Sequence, residues 1–128
     1  MSDIISNPLS IKCPRDSCKC LIIKADTATL VQRTLPEPLP EIGAPNYTHP
    51  CIPQPIEEIA EDMTDMYWML GDVMQFENVG VSRSDNGIVY LTCADCDLAP
   101  LGYCDTTLPA EEREYLVAVS RVAYIEQH

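Results

Sequence analysis

Two pairs of closely spaced cysteines, Cys13-Pro14-Arg15-Asp16-Ser17-Cys18 and Cys93-Ala94-Asp95-Cys96, stand far apart in this 128-residue chain, and any fold it adopts has to account for them. A pair spaced by two to four residues wraps one edge of a metal ion. Two such pairs complete the tetrahedral thiolate shell that suits Zn²⁺, with Zn–S distances of about 2.3 Å. Four thiolates leave no position for water, so a centre of this kind is structural rather than catalytic. Cys20 competes with Cys18 for the fourth place, although Cys18-Lys19-Cys20 is a poor chelating spacing and Cys20 begins a strand. Cys51 and Cys104 are expected to be unliganded. The plainer alternative is that the cysteines are buried core thiols. A metal would decide whether the fold exists, because apparent zinc binding to thiolate sites is worth about 10–16 kcal/mol and net domain stabilities are about 5–15 kcal/mol.

Seven cysteines, an odd count, fit a reducing compartment in which thiols more often bind metal than pair as disulfides. Met1–Ser10 has no basic segment followed by an apolar one, so no export signal is read there, and a cytoplasmic location is expected. No run approaches the roughly 18 apolar residues needed to span a bilayer. The length suits a single domain over residues 1–128. Eight Lys and Arg oppose twenty Asp and Glu, giving a net charge of −12, which argues against a nucleic-acid partner. The charge is uneven: residues 1–33 hold five bases and three acids, residues 34–128 three bases and seventeen acids. The core is modest, with one Trp, one Phe and eleven Pro against five Gly. A staple such as a metal would help it.

The pattern along the chain is mainly β. Leu21-Ile22-Ile23 and Thr29–Gln32 read as short strands around a bend at Ala25-Asp26. Between Thr34 and Pro55 seven prolines in 22 residues preclude regular pairing, and an extended insertion is expected over 34–65. A proline-rich recognition ligand is the sharper reading of the same stretch. Within it Ile56, Ile59, Ala60, Met63 and Tyr67 recur at helical spacing, predicting a short amphipathic helix over Ile56–Tyr67. Its acidic face (Glu57, Glu58, Glu61, Asp62, Asp65) is either solvated or a dock for a basic partner. Val79–Arg83 and Ile88–Thr92 flank Ser84-Asp85-Asn86-Gly87, a hairpin whose turn needs the positive φ that Asn-Gly supplies. Residues 114–124 read as one last buried strand, with a helical turn over Ala110–Arg113 leading into it.

Catalytic constellations are scarce. The five glycines are isolated, so no phosphate-cradling loop is present, and the histidines, His49 and His128, are poorly placed to act as bases. Cys104 lies between Tyr103 and Asp105, with no basic neighbour to activate it. Gly71–Gly80 is the pointed stretch. Phe76, the one Phe, is either core with Glu77-Asn78 as a turn, or the aromatic anchor of a binding edge.

Trp68, Asp72, Phe76-Glu77-Asn78-Val79-Gly80, Leu91-Thr92-Cys93-Ala94-Asp95-Cys96-Asp97, Pro100-Leu101-Gly102 and the closing Leu116-Val117-Ala118 and Arg121-Val122 strongly resemble the Rab-interacting-factor family of zinc proteins. The likeness covers roughly residues 11–33 and 66–124. Two departures stand out: the first cysteine pair is spaced by four residues where mammalian members have two, and Ala99-Pro100-Leu101-Gly102 replaces the usual Gly-Pro-Ile-Gly. The resemblance implies coiled, twisted antiparallel sheets joined by a two-knuckle structural zinc site at Cys13, Cys18, Cys93 and Cys96. It further implies a monomer that binds the switch region of exocytic Rab GTPases, either as a guanine-nucleotide exchange factor or as a chaperone of the nucleotide-free form, without covalent chemistry of its own and recruited to membranes through the Rab. Asp72, Phe76, Glu77, Asn78 and Asp95 match the family's pattern and are the implied partner contacts. Asp95, between the metal ligands, has a local alternative as a knuckle-turn residue bonded to nearby backbone. Two other functions compete: a zinc-ribbon adaptor unrelated to Rab, and a methionine-sulfoxide-reductase-like enzyme using Cys104.

Overall fold

Short apolar runs broken by turn residues make short strands, and among the described residues nine of them form two antiparallel sheets. A computed structural model describes residues 6–15, 18–34, 52, 56–59, 65–72, 75–83 and 87–125. The small sheet has the order β2-β1-β9, from Leu21–Ile23, Ile11–Lys12 and Ala123–Tyr124. The large sheet has the order β3-β4-β8-β7-β6-β5, from Thr29–Gln32, Met66–Leu70, Tyr115–Ala118, Gly102–Asp105, Ile88–Cys93 and Val79–Arg83. One helical turn, α1, spans Ile56–Ile59. The mainly β class and the short acidic helix agree with expectation. Most of the proline-rich stretch expected over 34–65 lies outside the described residues.

The expected hairpin strands, Val79–Arg83 and Ile88–Cys93, pair antiparallel with Val81 facing Leu91, and Gly87 takes φ 77°. Two other expectations need correction. Tyr67 is a strand residue, paired with Val31 on one side and Ala118 on the other, so the helix does not reach it. Met66–Leu70 is bulky and aromatic, and a ladder on both flanks outweighs the helical spacing that Tyr67 shares with Ile56. Residues 114–124 are two strands, not one. A 3₁₀ turn at Val119–Arg121 breaks the run and carries the chain from the large sheet to the small one. Burial of Leu116 through Val119 nonetheless matches the apolar character of the segment. The helical turn before it is 3₁₀, over Ala110–Glu112.

The bend at Ala25-Asp26 also forms, with Asp26 at φ 60°. Yet β2 and β3 on either side of it belong to different sheets. Asn7 fixes this parting of the ways. Its fully buried side chain donates to the carbonyls of Leu9 (3.0 Å) and Lys24 (2.9 Å) and accepts from the backbone N–H groups of Thr27 (3.0 Å) and Ala28 (2.8 Å).

The core lies between the two sheets. Trp68, Leu70, Leu91, Val117, Val119 and Val122 pack there with Ile11, Ile22, Ile23 and Ile56. Trp68 Nε1 donates to the Tyr124 hydroxyl (3.0 Å), which donates to the Val119 carbonyl (2.7 Å), tying β4 to β9. A second cluster of Tyr67, Tyr103, Leu116 and Ala118 forms apart from that core, its two tyrosine rings edge to face at 5.6 Å. At Gly102 the strands β7 and β8 approach so closely that a Cβ would sit 1.8 Å from the Leu116 carbonyl oxygen. No helix among the described residues is long and apolar enough to cross a membrane.

Candidate metal centre and adjoining face

Each cysteine pair sits where a strand end turns. Cys13 follows β1, and the chain folds back through N–H bonds from Cys18 (3.0 Å) and Lys19 (3.1 Å) to the Arg15 carbonyl. Cys93 ends β6, and Asp97, at φ 62°, donates back to the Cys93 carbonyl (2.8 Å). Backbone N–H groups of Arg15, Cys20 and Leu98 point at the sulfurs of Cys13, Cys18 and Cys96. Such donors favour thiolate over thiol. The Cys13 N–H donates to the Cys20 carbonyl (2.8 Å), and the Cys93 N–H to the Leu98 carbonyl (3.0 Å), holding each loop shut.

The two loops meet. Cys13 Sγ lies 3.6 Å from Cys96 Sγ, Cys18 Sγ lies 3.5 Å from Cys93 Sγ, and all four sulfurs fall within 4.8 Å of one another. A regular tetrahedron with metal–sulfur bonds of about 2.3 Å has sulfur–sulfur edges of about 3.8 Å. The 3.5 and 3.6 Å pairs lie slightly inside that edge, so the cluster is of a size that could hold an ion, and four soft donors suit a thiophilic one. Cys13 and Cys93 are buried, Cys18 and Cys96 half-buried.

The electrostatics fit the same purpose. Without an ion, burial pushes the Cys13 thiol up to about 12 and the Cys18 thiol upward as well. Cys96 moves the other way. Burial opposes its ionisation, but the Leu98 N–H and the thiols of Cys13, Cys18 and Cys93 together outweigh that and lower its pKa. Ionisation is thus favoured at Cys96 and opposed at Cys13 and Cys18, and an ion bound by the cluster would displace thiol protons.

Cys20 is outside the group of four and instead approaches Cys18 (Sγ–Sγ 3.4 Å), so the geometry places Cys18 rather than Cys20 in the four-sulfur cluster. Cys104 lies on β7, fully buried, opposite Val89 and Tyr115. Burial raises its pKa, the reverse of what a nucleophilic thiol needs. Cys51, His49 and His128 lie outside the described residues.

The residues expected at a partner face divide into two sets. Phe76 is core, 8% exposed, its ring edge-on to Tyr115 at 6.3 Å. Asn78 is a brace: its Nδ2 donates to the Leu21 carbonyl (2.7 Å), and its own carbonyl accepts from the Ala94 N–H (2.8 Å). The Glu77 N–H adds a bond to the Ile22 carbonyl (2.9 Å). Phe76-Glu77-Asn78 therefore clamps β2, just after the first cysteine loop, to the second loop. Asp72, Glu77 and Asp95 are exposed. Glu77 reaches Lys24 Nζ at 3.4 Å, and Asp95 Oδ2 lies 3.5 Å from Cys18 Sγ, at the outer lip of the sulfur cluster. Asn7 escaped the sequence reading, where the only signal was an Asn-Pro dipeptide of the kind that opens turns.

A family model described as "Mss4 protein" matches residues 6–124, which span both cysteine loops, both sheets and the brace. A Drosophila melanogaster protein described as "Guanine nucleotide exchange factor MSS4 homolog" is 29% identical over 118 residues, covering 92% of this chain and 85% of that protein. A Schizosaccharomyces pombe protein of the same description is 42% identical over 65 residues, covering 49% of this chain and 61% of that one. With a two-sheet fold closed by a four-cysteine cluster and a match along nearly its whole length, the chain belongs to the Mss4 family.

Proposed function

We propose that this protein is a regulatory guanine-nucleotide exchange factor that binds a Rab-type small GTPase in its nucleotide-free state. The observation that carries the reading is the family match over residues 6–124, with relatives described as guanine nucleotide exchange factor homologs. The protein acts in the cytoplasm as a monomer and reaches membranes through the Rab. Its structural ion is zinc, held by Cys13, Cys18, Cys93 and Cys96, and when bound it cross-links the two loops and takes no part in chemistry.

Exchange needs no bond making. A nucleotide held at nanomolar affinity is bound by about 12 kcal/mol. A factor expels it only by binding the empty GTPase more tightly than the loaded one, and by reciprocity nucleotide then expels the factor. Asp72, Glu77 and Asp95 supply exposed carboxylates. Placed near a site built for phosphate and Mg²⁺, carboxylates repel both and engage the basic groups left behind. Phe76 and Asn78 belong to the same face by holding its backbone in place. A short-lived complex would make the protein an exchange factor in the cell, and a long-lived one a chaperone of empty Rab.

The test is release of fluorescent GDP from purified exocytic Rabs mixed with zinc-loaded protein, followed by sizing of the mixture. Accelerated release, with a complex that GTP dissolves, is expected. Asp95→Lys should abolish release while leaving the protein folded, as read by its far-ultraviolet circular dichroism. Neither release nor a complex with any Rab would refute the proposal and leave a metal-braced adaptor.

A further inference from the structure

The four-sulfur cluster does not use up the thiol and carboxylate donors at this end of the molecule. Cys20 Sγ lies 3.4 Å from Cys18 Sγ, and Asp95 Oδ2 lies 3.5 Å from the same sulfur. One donor atom from each of Cys18, Cys20 and Asp95 falls within 4.8 Å of the others, forming a second group that shares Cys18 with the first. A chain of Cys-x-Cys in regular conformation is a poor chelator. Here Lys19, at φ 54°, is left-handed, and this reversal accompanies the close approach of the two sulfurs.

We propose that Cys18, Cys20 and Asp95 form a second site for a thiophilic divalent cation, with the Cys18 thiolate bridging it to the ion of the four-cysteine centre. The proposal rests on that first centre being occupied. A tetrahedral ion with bonds of about 2.3 Å to sulfur and about 2.1 Å to oxygen spaces two sulfurs by about 3.8 Å and a sulfur–oxygen pair by about 3.6 Å. The observed 3.4 and 3.5 Å fall close to both. Cys20 and Cys18 are half-buried and Asp95 is exposed, so the site opens outward and water completes its shell. The inner centre is closed by four sulfurs. The outer one offers two sulfurs and an oxygen, and the weaker donor set makes it the one that fills second.

The experiment is native mass spectrometry of the reduced full-length protein across buffered free-zinc concentrations, paired with ¹¹³Cd NMR of the cadmium-loaded form. Two ions per chain are expected at high free zinc and one at low. Cys20→Ser and Asp95→Asn should each lower the high-zinc count to one without moving the first binding step. The NMR spectrum should hold two cadmium signals split by coupling through the shared sulfur. A single ion at every concentration would overturn the second site. So would a second ion that survives Cys20→Ser or shows no cadmium–cadmium coupling. No bound ion at all would instead overturn the four-cysteine centre, and the second site with it.

Discussion

Replacing Asn7 by Ala removes one side chain and disconnects four backbone groups. The carbonyls of Leu9 and Lys24 lose their donor, and the N–H groups of Thr27 and Ala28 lose their acceptor. Each bond contributes about 1 kcal/mol net, and a buried group left without a partner costs about 1–3 kcal/mol. A water entering the vacated space recovers part of that, so the expected loss is about 3–4 kcal/mol. Against a domain stability of about 5–15 kcal/mol, the effect is large for a residue that belongs to neither cysteine loop. Urea unfolding at fixed free zinc measures it, since unfolding of a metal-bound chain depends on ligand concentration. With a slope near about 2 kcal/mol per molar, the midpoint should fall by about 1.5–2 M. Asn7→Asp gives a sharper signature. It keeps the acceptor for Thr27 and Ala28 but sets a carboxylate against two carbonyls. The folded state then favours the protonated form, so its pKa is raised over the unfolded value near about 4. The deficit should be full at neutral pH and shrink as pH falls, because the folded state holds more protons there. A loss below about 1 kcal/mol for Asn7→Ala, or a pH-independent deficit for Asn7→Asp, would refute the reasoning.

Gly102→Ala should cost at least about 3 kcal/mol, because its Cβ would collide with the Leu116 backbone, while Gly71→Ala, with nothing within 4 Å, should change stability by less than about 0.5 kcal/mol in the same melts. Arg33 grips Glu114 through two bonds (2.8 and 2.5 Å) and lowers its pKa, so that contribution is full above the unfolded value and is lost as pH falls through the folded one. Glu114→Gln should therefore cost about 0.5–1 kcal/mol at neutral pH, a difference that vanishes in acid unfolding curves. Chelation under reducing conditions should unfold the protein and red-shift the emission of buried Trp68, and zinc loss should steepen as pH falls because protons compete for the cysteine sulfurs. Unchanged Trp68 emission after complete zinc removal would count against a structural ion.

What could be read from the sequence is what local chemistry decides. Asn86-Gly87 and its flanking alternation specify a hairpin by themselves, and the spacing within each cysteine pair predicts a chelating loop without knowledge of the rest. Tyr67 shows the limit. Its spacing from Ile56 is helical, and only the flanking strands β3 and β8, contributed by distant residues, make it a strand. The same holds for residues 114–124, where the break at Val119 reflects a change of sheet rather than a turn residue. Phe76 and Asn78 resemble contact residues because an aromatic beside polar groups is what an interface uses. Their partners, Tyr115, Leu21 and Ala94, lie elsewhere in the chain, and nothing in the local sequence announces them. Asn7 was hidden for the same reason, its bonds reaching across the bend to Lys24, Thr27 and Ala28.

The central strand of the small sheet, β1, has one neighbour that follows it closely and another, β9, drawn from the far end of the described chain. During synthesis β2 can pair as soon as it leaves the ribosome, whereas β9 emerges only after both cysteine loops are out. Pairings so distant in sequence are slow, since closing the intervening chain must precede any gain from the contact. An ion captured by the two loops would shorten that search, because it already holds Cys13, beside β1, against Cys96. The nascent chain would then meet β9 with the landing site assembled, and a cell short of that ion would accumulate molecules in which β9 docks slowly.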